Sequence, residues 1–353
     1  MSAPRETPGR WRMPAEWMPH EATLLTWPHD AGIWGRLMPD IQGTFARLAA
    51  LLAEVEDVHI AAPAAWHGRV DEALRGAGAD AARVTLHPVD SDDVWARDHG
   101  PIAVVPLGVP APGQPPRLLL DWRFNAWGAK FPHERDDRVA AAMAERLGLP
   151  CRRMEMVLEG GAIEVNGEGD LITTRAVLLN ANRGGSGDPA QAEETLREAL
   201  GVERVIWLDE GLEGDDTDGH VDDIARFVDP CTVVLVQPAD AAHPDHATMR
   251  RNRAILEASR GPGGRPFTLV DLPAPDPVAV DGQMLPASYA NFAIANGRVI
   301  VPTFAQPADD RALGILRECF PGRDVVGLDA RALITQSGAV HCVTQQLPAE
   351  GAR

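Results

Sequence analysis

The segment from Gly214 to Asp223 surrounds one histidine, His220, with several carboxylates. It runs into Ile224–Val228, whose alternation of residue types is typical of a strand. Residues two apart on a strand point to the same face, so His220 and Asp222 are expected to face one space at the strand entry. The pattern predicts an acid/base group beside an anion. An acidic surface turn at Gly219 is the alternative, because turns favour Asp and Gly.

A candidate nucleophile, Cys342, lies near the C-terminus in an apolar, β-branched run that follows Ser337-Gly338. A cysteine nucleophile needs a histidine that the fold brings close, and His220 can supply this base. His341 is a rival base, but adjacent residues on a strand point to opposite faces, which favours His220. The remaining cysteines are expected to be buried fillers of apolar space: Cys151, Cys231 and Cys319.

Two further carboxylates stand next to turn residues. Asp98 lies with Trp95 in the charged loop 92–101, and Glu159 precedes Gly160-Gly161. Binding groups concentrate in loops at strand ends, and glycine lets other groups approach closely, so both carboxylates are site candidates. For Asp98 the alternative is a surface ion pair with Arg97.

The composition limits the classes of protein to which the chain can belong. With 353 residues and 45% hydrophobic content, the chain can bury a sizeable core. Its 33 Lys and Arg against 51 Asp and Glu give a net charge of -18, which argues against a nucleic-acid or membrane partner and is compatible with a cationic ligand. Widely separated cysteines suggest neither a zinc cluster nor a redox dithiol, and no apolar run resembles a signal peptide or a membrane span. We therefore expect a cytoplasmic protein, and the sequence leaves open whether it forms a homo-oligomer.

Strand and helix patterns alternate along the chain. Residues 1–20 are Pro-rich and charged, which predicts a flexible N-terminal arm, and residues 21–348 are expected to form a single α/β domain of repeated β/α units. The predicted strands are 23–27, 58–61, 84–86, 102–105, 118–120, 156–158, 163–165, 171–173, 205–208, 224–228, 232–236, 268–270, 291–294, 299–301 and 325–326. The predicted helices are 41–55, 66–75, 135–147, 188–200, 245–258 and 309–319.

Six motifs, taken in order, resemble those of the agmatine deiminases and the related bacterial peptidylarginine deiminases, in the guanidine-modifying pentein superfamily. They are Trp95-Ala96-Arg97-Asp98 followed by Gly100-Pro101, Phe124-Asn125-Ala126-Trp127-Gly128, Leu158-Glu159-Gly160-Gly161, the run from Thr217 to Asp222, Ser288-Tyr289-Ala290-Asn291-Phe292, and His341-Cys342-Val343-Thr344-Gln345-Gln346. The resemblance implies a pentein β/α-propeller with five pseudo-symmetric β/α units around a central active-site cavity. It also implies hydrolysis of a C-N bond in a linear amidine, without a metal or an organic cofactor.

The resemblance assigns roles to residues of this chain. Asp98 and Asp222 match the carboxylates that hold the planar guanidinium, and Cys342 matches the nucleophile that forms an S-alkylthiouronium intermediate. His220 would protonate the departing ammonia and then activate water, and Glu159 would orient its imidazole or hold its proton.

The substrate implied by the resemblance is agmatine, whose hydrolysis to N-carbamoylputrescine belongs to polyamine biosynthesis. Asp216 would face the distal amine and Trp95 would pack along the aliphatic chain, and Asn291 is also carried over as a substrate-binding residue. Free arginine or peptidylarginine is the alternative substrate, and an amidinotransferase or a non-catalytic polyamine binder on the same fold is a further alternative. The chain departs from the family pattern before the nucleophile, where Ser337-Gly338-Ala339 replaces a Gly-Gly-Asn run.

Overall fold

The computed structural model describes residues 10–185 and 187–352. Its strands are β1 (Trp11–Arg12), β2 (His20–Thr26), β3 (Asp57–Ala62), β4 (Val84–Pro88), β5 (Ile102–Pro106), β6 (Leu118–Arg123), β7 (Cys151–Val157), β8 (Glu164–Val165), β9 (Asp170–Thr174), β10 (Arg204–Leu208), β11 (Ala225–Asp229), β12 (Thr232–Val236), β13 (Thr268–Leu272), β14 (Val278–Val280), β15 (Gln283–Leu285), β16 (Ala293–Ala295), β17 (Arg298–Thr303), β18 (Asp324–Asp329) and β19 (Gln345–Pro348). The predicted class, mixed α/β, is confirmed.

The helices lie mainly between strands. They are α1 (Ala31–Trp34), α2 (Met38–Ala53), α3 (His67–Gly76), α4 (Ala96–His99), α5 (Ala126–Ala129), α6 (Val139–Leu147), α7 (Arg175–Leu178), α8 (Pro189–Leu200), α9 (His246–Ala258) and α10 (Ala308–Cys319). In α2 the residues Phe45, Leu48 and Leu52 recur at helical spacing and are buried, as the periodicity predicts. Among the described residues, no helix has the length and apolarity needed to cross a membrane.

One topology recurs in five of the sheets that the described residues form. In each of these sheets the first two strands pair antiparallel, and the third strand pairs parallel to the second. A helix connects the second strand to the third. The sheets contain β19-β2-β3, β5-β6-β7, β8-β9-β10, β11-β12-β13 and β16-β17-β18, with β4 added to the first and β1 to the second. The connecting helices are α2, α6, α8, α9 and α10 in that order. Residues 107–117 connect β5 to β6.

Two differences from the predicted elements have clear physical reasons. Strand β7 begins at Cys151, five residues before the predicted Met156, and its first residues are largely exposed. An exposed edge strand lacks the apolar pattern on which the prediction depended. Cys151 is therefore exposed and was wrongly predicted to be a buried filler, and Cys231 and Cys319 are only partly buried.

The N-terminal segment also differs from the expected arm. Residues 1–9 lie outside the described residues, whereas Trp11–Arg12 pair with β5 and Glu16 is buried. The backbone N–H of Met13 donates to the carbonyl of Leu200, at the end of α8, over 2.9 Å. This part of the segment is held by backbone pairing and by burial.

The candidate residues occupy the connections between successive sheets. Asp98 follows β4, Glu159 follows β7, His220 follows β10 and Cys342 follows β18, while Asn291 lies between β15 and β16. Each connection leaves the last strand of one sheet and enters the first strand of the next. Loops anchored at both ends by strands can hold side chains in fixed positions, so the fold brings these distant residues together.

The contact between the N-terminal segment and α8 can be tested at the glycine that ends the helix. Gly201 has φ +68°, and a Cβ there would lie 2.2 Å from the carbonyl oxygen of Trp11. Gly148, which ends α6, has φ +66° and open space around it. We expect Gly148→Ala to lower the free energy of unfolding by about 1–2 kcal/mol through backbone strain alone, and Gly201→Ala to lower it further. Chemical denaturation measures both, and equal losses would contradict a fixed contact.

Candidate active site

Cys342 lies in a turn, not in the predicted strand. The backbone N–H of Thr344 donates to the carbonyl of His341 over 3.0 Å, and β19 begins only at Gln345. Asn291 Nδ2 lies 3.1 Å from Cys342 Sγ, and the backbone N–H of Arg97 donates to the Cys342 carbonyl over 3.0 Å. The thiol is buried, yet it borders a cavity of about 380 Å³.

His220 reaches the same region from a short 3-10 turn. The predicted strand entry at His220 and Asp222 is wrong, because Val221–Asp223 form this turn and β11 begins at Ala225. The backbone N–H of His220 donates to Asp215 Oδ2 over 3.0 Å, which fixes the start of the turn. The imidazole is fully buried, and neither ring nitrogen has a hydrogen-bond partner among the described residues. A buried imidazole without partners is available to react with a ligand.

Asp98 and Asp222 each direct a carboxylate toward His220. Asp98 Oδ1 accepts from the Gly161 N–H over 3.0 Å and lies 3.8 Å from His220 Nδ1, while Asp98 Oδ2 accepts from Trp127 Nε1. Asp222 Oδ2 accepts from His341 Nδ1 over 2.7 Å, and Asp222 Oδ1 is buried without a hydrogen-bond partner among the described residues. The structure thus brings together the predicted base and both predicted guanidinium ligands.

The backbone of Gly161 borders the space between these three groups. A Cβ at this position would lie 2.5 Å from His220 Nδ1, 3.0 Å from Asp98 Oδ1 and 3.1 Å from Asp222 Oδ2. Glycine is therefore required at this position, because a side chain would collide with the imidazole and with both carboxylates.

Burial determines the ionisation that the protein groups alone impose on this space. Burial raises the pKa of Asp98 well above its ordinary value, and the nearby charges of Asp222 and Glu159 raise it further. Burial likewise raises the pKa of the Cys342 thiol well above its ordinary value, and the carboxylates Asp222, Asp223 and Asp98 add to the rise. Burial lowers the pKa of His220 to about 3. A planar cation between the carboxylates would favour both the carboxylate and the thiolate forms.

Glu159 has a different partner from the one predicted. Its Oε1 accepts from Arg183 Nε over 2.8 Å, whereas its Oε2 and both nitrogens of His220 have no hydrogen-bond partner among the described residues. Glu159 and the imidazole share no hydrogen bond in this structure, so the role of Glu159 in orienting the imidazole or holding its proton stays a prediction. Burial raises the pKa of Glu159, and the charge of Arg183 opposes that rise.

Arg183 is a functional residue that the sequence reasoning missed. Its Nη2 donates to the carbonyl of Thr217 over 2.7 Å, and its Nη1 donates to Asp218 Oδ2 over 2.5 Å. The buried guanidinium thus connects Glu159 to the acidic loop that precedes His220. No spacing in the sequence relates residue 183 to residue 159 or 217, so only the fold reveals this connection.

Aromatic side chains form one wall of the cavity. Trp95 lies at the wall as predicted, with its Nε1 donating to Asp93 Oδ2 over 2.8 Å and its ring T-shaped against Trp127 at 6.4 Å. A Cβ on Gly338 would lie 2.1 Å from the Trp95 ring, which explains why glycine occupies the middle of the atypical Ser337-Gly338-Ala339 run. Ser337 itself has φ +60°.

Carboxylates are frequent in the lining of the cavity. The lining residues are Asp30, Gly32, Ile33, Asp92, Asp93, Trp95, Asp98, Phe124, Ala126, Trp127, Phe131, Pro132, Asp136, Asp216, Thr217, Gln336, Ser337, Gly338 and Cys342. This set of described residues includes no arginine and no lysine. Burial raises the pKa of Asp216, while the charge of Lys130 and the Ser337 side chain oppose the rise. Arg123, which follows the buried part of β6, is not part of this lining and borders a separate groove.

The structure changes one sequence-based assignment and decides against two of the alternatives. Asn291 is fully buried and is absent from the cavity lining; its side chain instead accepts from the backbone N–H of His341 over 2.9 Å, beside the nucleophile. It holds the nucleophile turn. His341, the rival base, has both ring nitrogens engaged, by Asp222 and by Glu16. Asp98 and Arg97 are both buried, which excludes the surface ion pair.

One group of metal-type ligands occurs among the described residues. One ligand atom from each of Asp222, Asp223 and Cys342 lies within 4.8 Å of the others. Asn291 already links two of them, since its Nδ2 donates to Asp223 Oδ1 over 2.9 Å and lies beside Cys342 Sγ. We interpret this group as part of the space between Asp98, Asp222 and His220 in which a planar cation would bind.

Comparison with known proteins gives one consistent result. A family model described as Porphyromonas-type peptidyl-arginine deiminase matches residues 12–348. An agmatine deiminase of Stutzerimonas stutzeri is 39% identical over 99% of this chain and 98% of that protein, and one of Pseudomonas aeruginosa is 38% identical over 99% of both. The match covers every segment that contributes to the cavity.

Solved structures agree. An agmatine deiminase of Enterococcus faecalis superimposes with a TM-score of 0.88 at 28% identity, over 96% of each chain. An agmatine deiminase of C. jejuni with substrate bound superimposes with a TM-score of 0.85 at 29% identity, over 96% of this chain and 97% of that chain.

The space beside Gly161 can be tested by filling it. We expect Gly161→Ala to reduce ammonia release from a guanidine substrate by about 10²-fold or more, because displacing reacting groups by about 1 Å has costs of this size. Thermal denaturation should show that the variant still folds. The control is Gly43→Ala on α2, where a Cβ meets nothing within 4 Å. Unchanged turnover in Gly161→Ala would mean that the ligand does not use this space.

Proposed function

The chain belongs to the Porphyromonas-type peptidyl-arginine deiminase family, and from this premise we propose that it is an agmatine deiminase. The enzyme hydrolyses the guanidinium of agmatine to N-carbamoylputrescine and ammonia, a step of polyamine biosynthesis. One observation supports this substrate above the others. The cavity that borders Cys342 is lined by six aspartates and, among the described residues, by no arginine or lysine.

Binding begins with charge pairing. A guanidinium is planar, with its donors in a fixed fork, so Asp98 and Asp222 can hold it in one orientation beside Cys342. Asp222 Oδ1, which has no hydrogen-bond partner among the described residues, is available to accept from it. Burial and like charges hold the pKa of Cys342 high, and the bound cation offsets both effects. The substrate therefore promotes formation of its own nucleophile.

The first half-reaction transfers the amidine carbon to sulfur. Cys342 Sγ bonds to the central carbon of the guanidinium while the thiol proton passes to His220. The C-N bond to one terminal nitrogen then breaks, and His220 gives the proton to that nitrogen, which leaves as ammonia. The product is a cationic S-alkylthiouronium on Cys342.

The second half-reaction consumes water. His220 takes a proton from water, the oxygen bonds to the thiouronium carbon, and the C-S bond breaks to release the ureido product and Cys342. The proton that remains is carried away by ammonia as ammonium. Glu159, with its Oε2 unpaired among the described residues, is the carboxylate that orients the imidazole or holds its proton during these transfers.

The far end of the substrate selects between agmatine and arginine. The distal ammonium of agmatine pairs with Asp216, and its aliphatic chain packs along Trp95. The α-carboxylate of free arginine or of a peptide C-terminus would be repelled by Asp216, Asp92 and Asp93. The family description names peptidyl-arginine, which keeps that substrate as the second candidate.

The fold and setting proposed with this function are those of the pentein superfamily. The five recurring sheets are arranged as five pseudo-symmetric β/α units around the central active-site cavity, and residues 21–348 form one catalytic domain. The sheet topology supports this arrangement, because each connection between sheets carries a candidate residue. We place the enzyme in the cytoplasm, since the reaction requires a reduced Cys342 and the four cysteines are free thiols.

An assay across three substrates tests the proposed function. Ammonia and ureido product are measured with agmatine, free arginine and an arginine peptide, without an added amine acceptor. We expect turnover of agmatine, and a loss on the order of 10⁴-fold or more in Cys342→Ser, because a serine hydroxyl has too high a pKa to ionise here. Circular dichroism checks the fold of the variant, and Cys231→Ser is the control. Preference for the peptide would assign a peptidylarginine deiminase, and dependence on an amine acceptor would assign a transferase.

Selectivity at the far end is tested at Asp216. We expect Asp216→Asn to raise the KM for agmatine about tenfold and to narrow the preference for agmatine over arginine. Asp216 is partly exposed, so the free energy of its pairing with the distal ammonium of agmatine lies between those of surface and buried ion pairs. Asp240→Asn, which changes an exposed turn carboxylate, is the control. If Asp216 only stabilises its turn, unfolding would become easier while the ratio of the two substrates stayed the same.

A further inference from the structure

The N-terminal segment contributes a buried carboxylate to the network beneath the active site. Glu16 Oε2 accepts from His341 Nε2 over 2.8 Å and from Arg226 Nη2 over 2.5 Å, and Glu16 Oε1 accepts from the backbone N–H of Ile294 over 2.8 Å. Both carboxylate oxygens are therefore engaged. Glu16 is 7% exposed, although it lies in the stretch expected to be a flexible arm.

His341 lies between two carboxylates. Its Nδ1 is 2.7 Å from Asp222 Oδ2, and its Nε2 is 2.8 Å from Glu16 Oε2. An ionised carboxylate can only accept hydrogen bonds, so both ring nitrogens must donate, and both can donate only in the doubly protonated imidazolium. The geometry therefore requires a cation at His341 for as long as both carboxylates are ionised.

This arrangement determines which oxygen of Asp222 is free. Asp222 Oδ2 accepts from His341, and the same oxygen lies 3.1 Å from the position of a Cβ on Gly161, whereas Asp222 Oδ1 is buried with no hydrogen-bond partner among the described residues. The hydrogen bond from His341 therefore holds the Asp222 carboxylate beside Gly161 and leaves Oδ1 free to accept from a guanidinium. A neutral ring could still bond to Asp222, but it would leave Glu16 without that donor.

We infer that Glu16 is a positioning residue for the deiminase reaction, which acts through His341 to hold Asp222 oriented and ionised. This inference rests on the proposed function. Glu16 touches neither the substrate nor the cavity; its effect passes through one imidazole. The N-terminal segment is thus required for the pocket that binds the guanidinium. Glu16 acts on Asp222 through the hydrogen bonds that His341 makes to both carboxylates.

The charges around His341 decide the direction of the effect. The charged and titratable groups near it are Glu16, Asp222, Glu164, Arg226, Arg97, His220 and Cys342. Burial raises the pKa of Asp222, but the hydrogen bond and charge of His341, together with the charges of His220 and Arg226, bring the pKa below its ordinary value. Without the charge of Glu16, the imidazolium of His341 is less stable. Asp222 then loses part of the positive charge that favours its ionised form, so it is protonated more easily.

The chain offers a matched control at Glu164. Glu164 Oε2 also accepts from Arg226, at Nε over 2.8 Å, and Glu164 Oε1 accepts from the backbone N–H of Phe227. Like Glu16, it is a buried carboxylate with a backbone N–H and Arg226 as donors, but it makes no hydrogen bond to His341. Glu164→Gln and Glu16→Gln should destabilise the fold to a similar extent, which separates structural loss from positioning.

The experiment is a pH profile of kcat/KM for agmatine. We expect Glu16→Gln to move the acid limb upward by about 0.5–1 pH unit, which is roughly three- to tenfold lower kcat/KM on the acid side. Glu164→Gln should move the limb much less, because Glu164 acts on His341 through its charge alone and makes no hydrogen bond to it. In a His341→Gln background, Glu16→Gln should shift it no further. Equal profiles for Glu16→Gln and Glu164→Gln, or a shift that persists without His341, would overturn the inference.

A second measurement needs neither turnover nor substrate. In ¹⁵N-histidine NMR spectra at neutral pH, His341 should show two protonated ring nitrogens in the wild-type protein and the neutral pattern in Glu16→Gln. A neutral ring in the wild type would overturn the inference even in an active enzyme. If Glu16→Gln does not fold, His341→Gln, which retains the pair of Glu16 with Arg226, must show the limb shift. Failure of wild-type protein to hydrolyse agmatine, with an imidazolium at His341, would instead refute the proposed substrate.

Discussion

The crowding of buried carboxylates around one thiol is the constraint on which the rest of this structure depends. Burying anions near each other is costly unless each is paired or protonated. The protein supplies cations from outside the cavity: Arg183 pairs with Glu159, and Arg226 pairs with Glu16 and Glu164. Asp222 Oδ1 and Glu159 Oε2 have no hydrogen-bond partner among the described residues. A cationic substrate therefore supplies the positive charge that the fold does not provide next to these carboxylates.

The same constraint gives two buried histidines different tasks. His341 lies between Asp222 and Glu16, so the arrangement favours its charged form, and it serves the structure of the pocket. His220 is buried without hydrogen-bond partners among the described residues, and burial lowers its pKa to about 3, so it stays neutral and can accept a proton. Residue type alone does not distinguish them. The surroundings do, as expected when environments set the roles of titratable groups.

The sequence is sufficient to single out the candidate residues that the structure brings together, but not the way in which they are held. Cys342, His220, Asp98 and Asp222 were singled out by residue type and by ordered motifs, and the structure brings them to one place. The strand geometry predicted for His220 and Cys342 was wrong, because turns, not strands, present both side chains. Glu16 and Arg183 were missed because their partners are distant in the chain. Periodicity reports which face of an element is apolar, and it carries no information on such long-range pairing.

A strained turn connects the two ends of the cavity. Four successive residues, Ala126 to Ala129, have positive φ, which is unfavourable for the three that are not glycine. The surrounding bonds hold the turn: Trp127 Nε1 donates to Asp98, and Lys130, the only lysine of the sequence, donates to the Asp216 carbonyl and the Asp218 carboxylate. One end of the turn is thus fixed to Asp98 and the other to the loop that contains Asp216. Because the turn sets the separation of these two anionic positions, the spacing of charges in a dication is the property that the cavity can select.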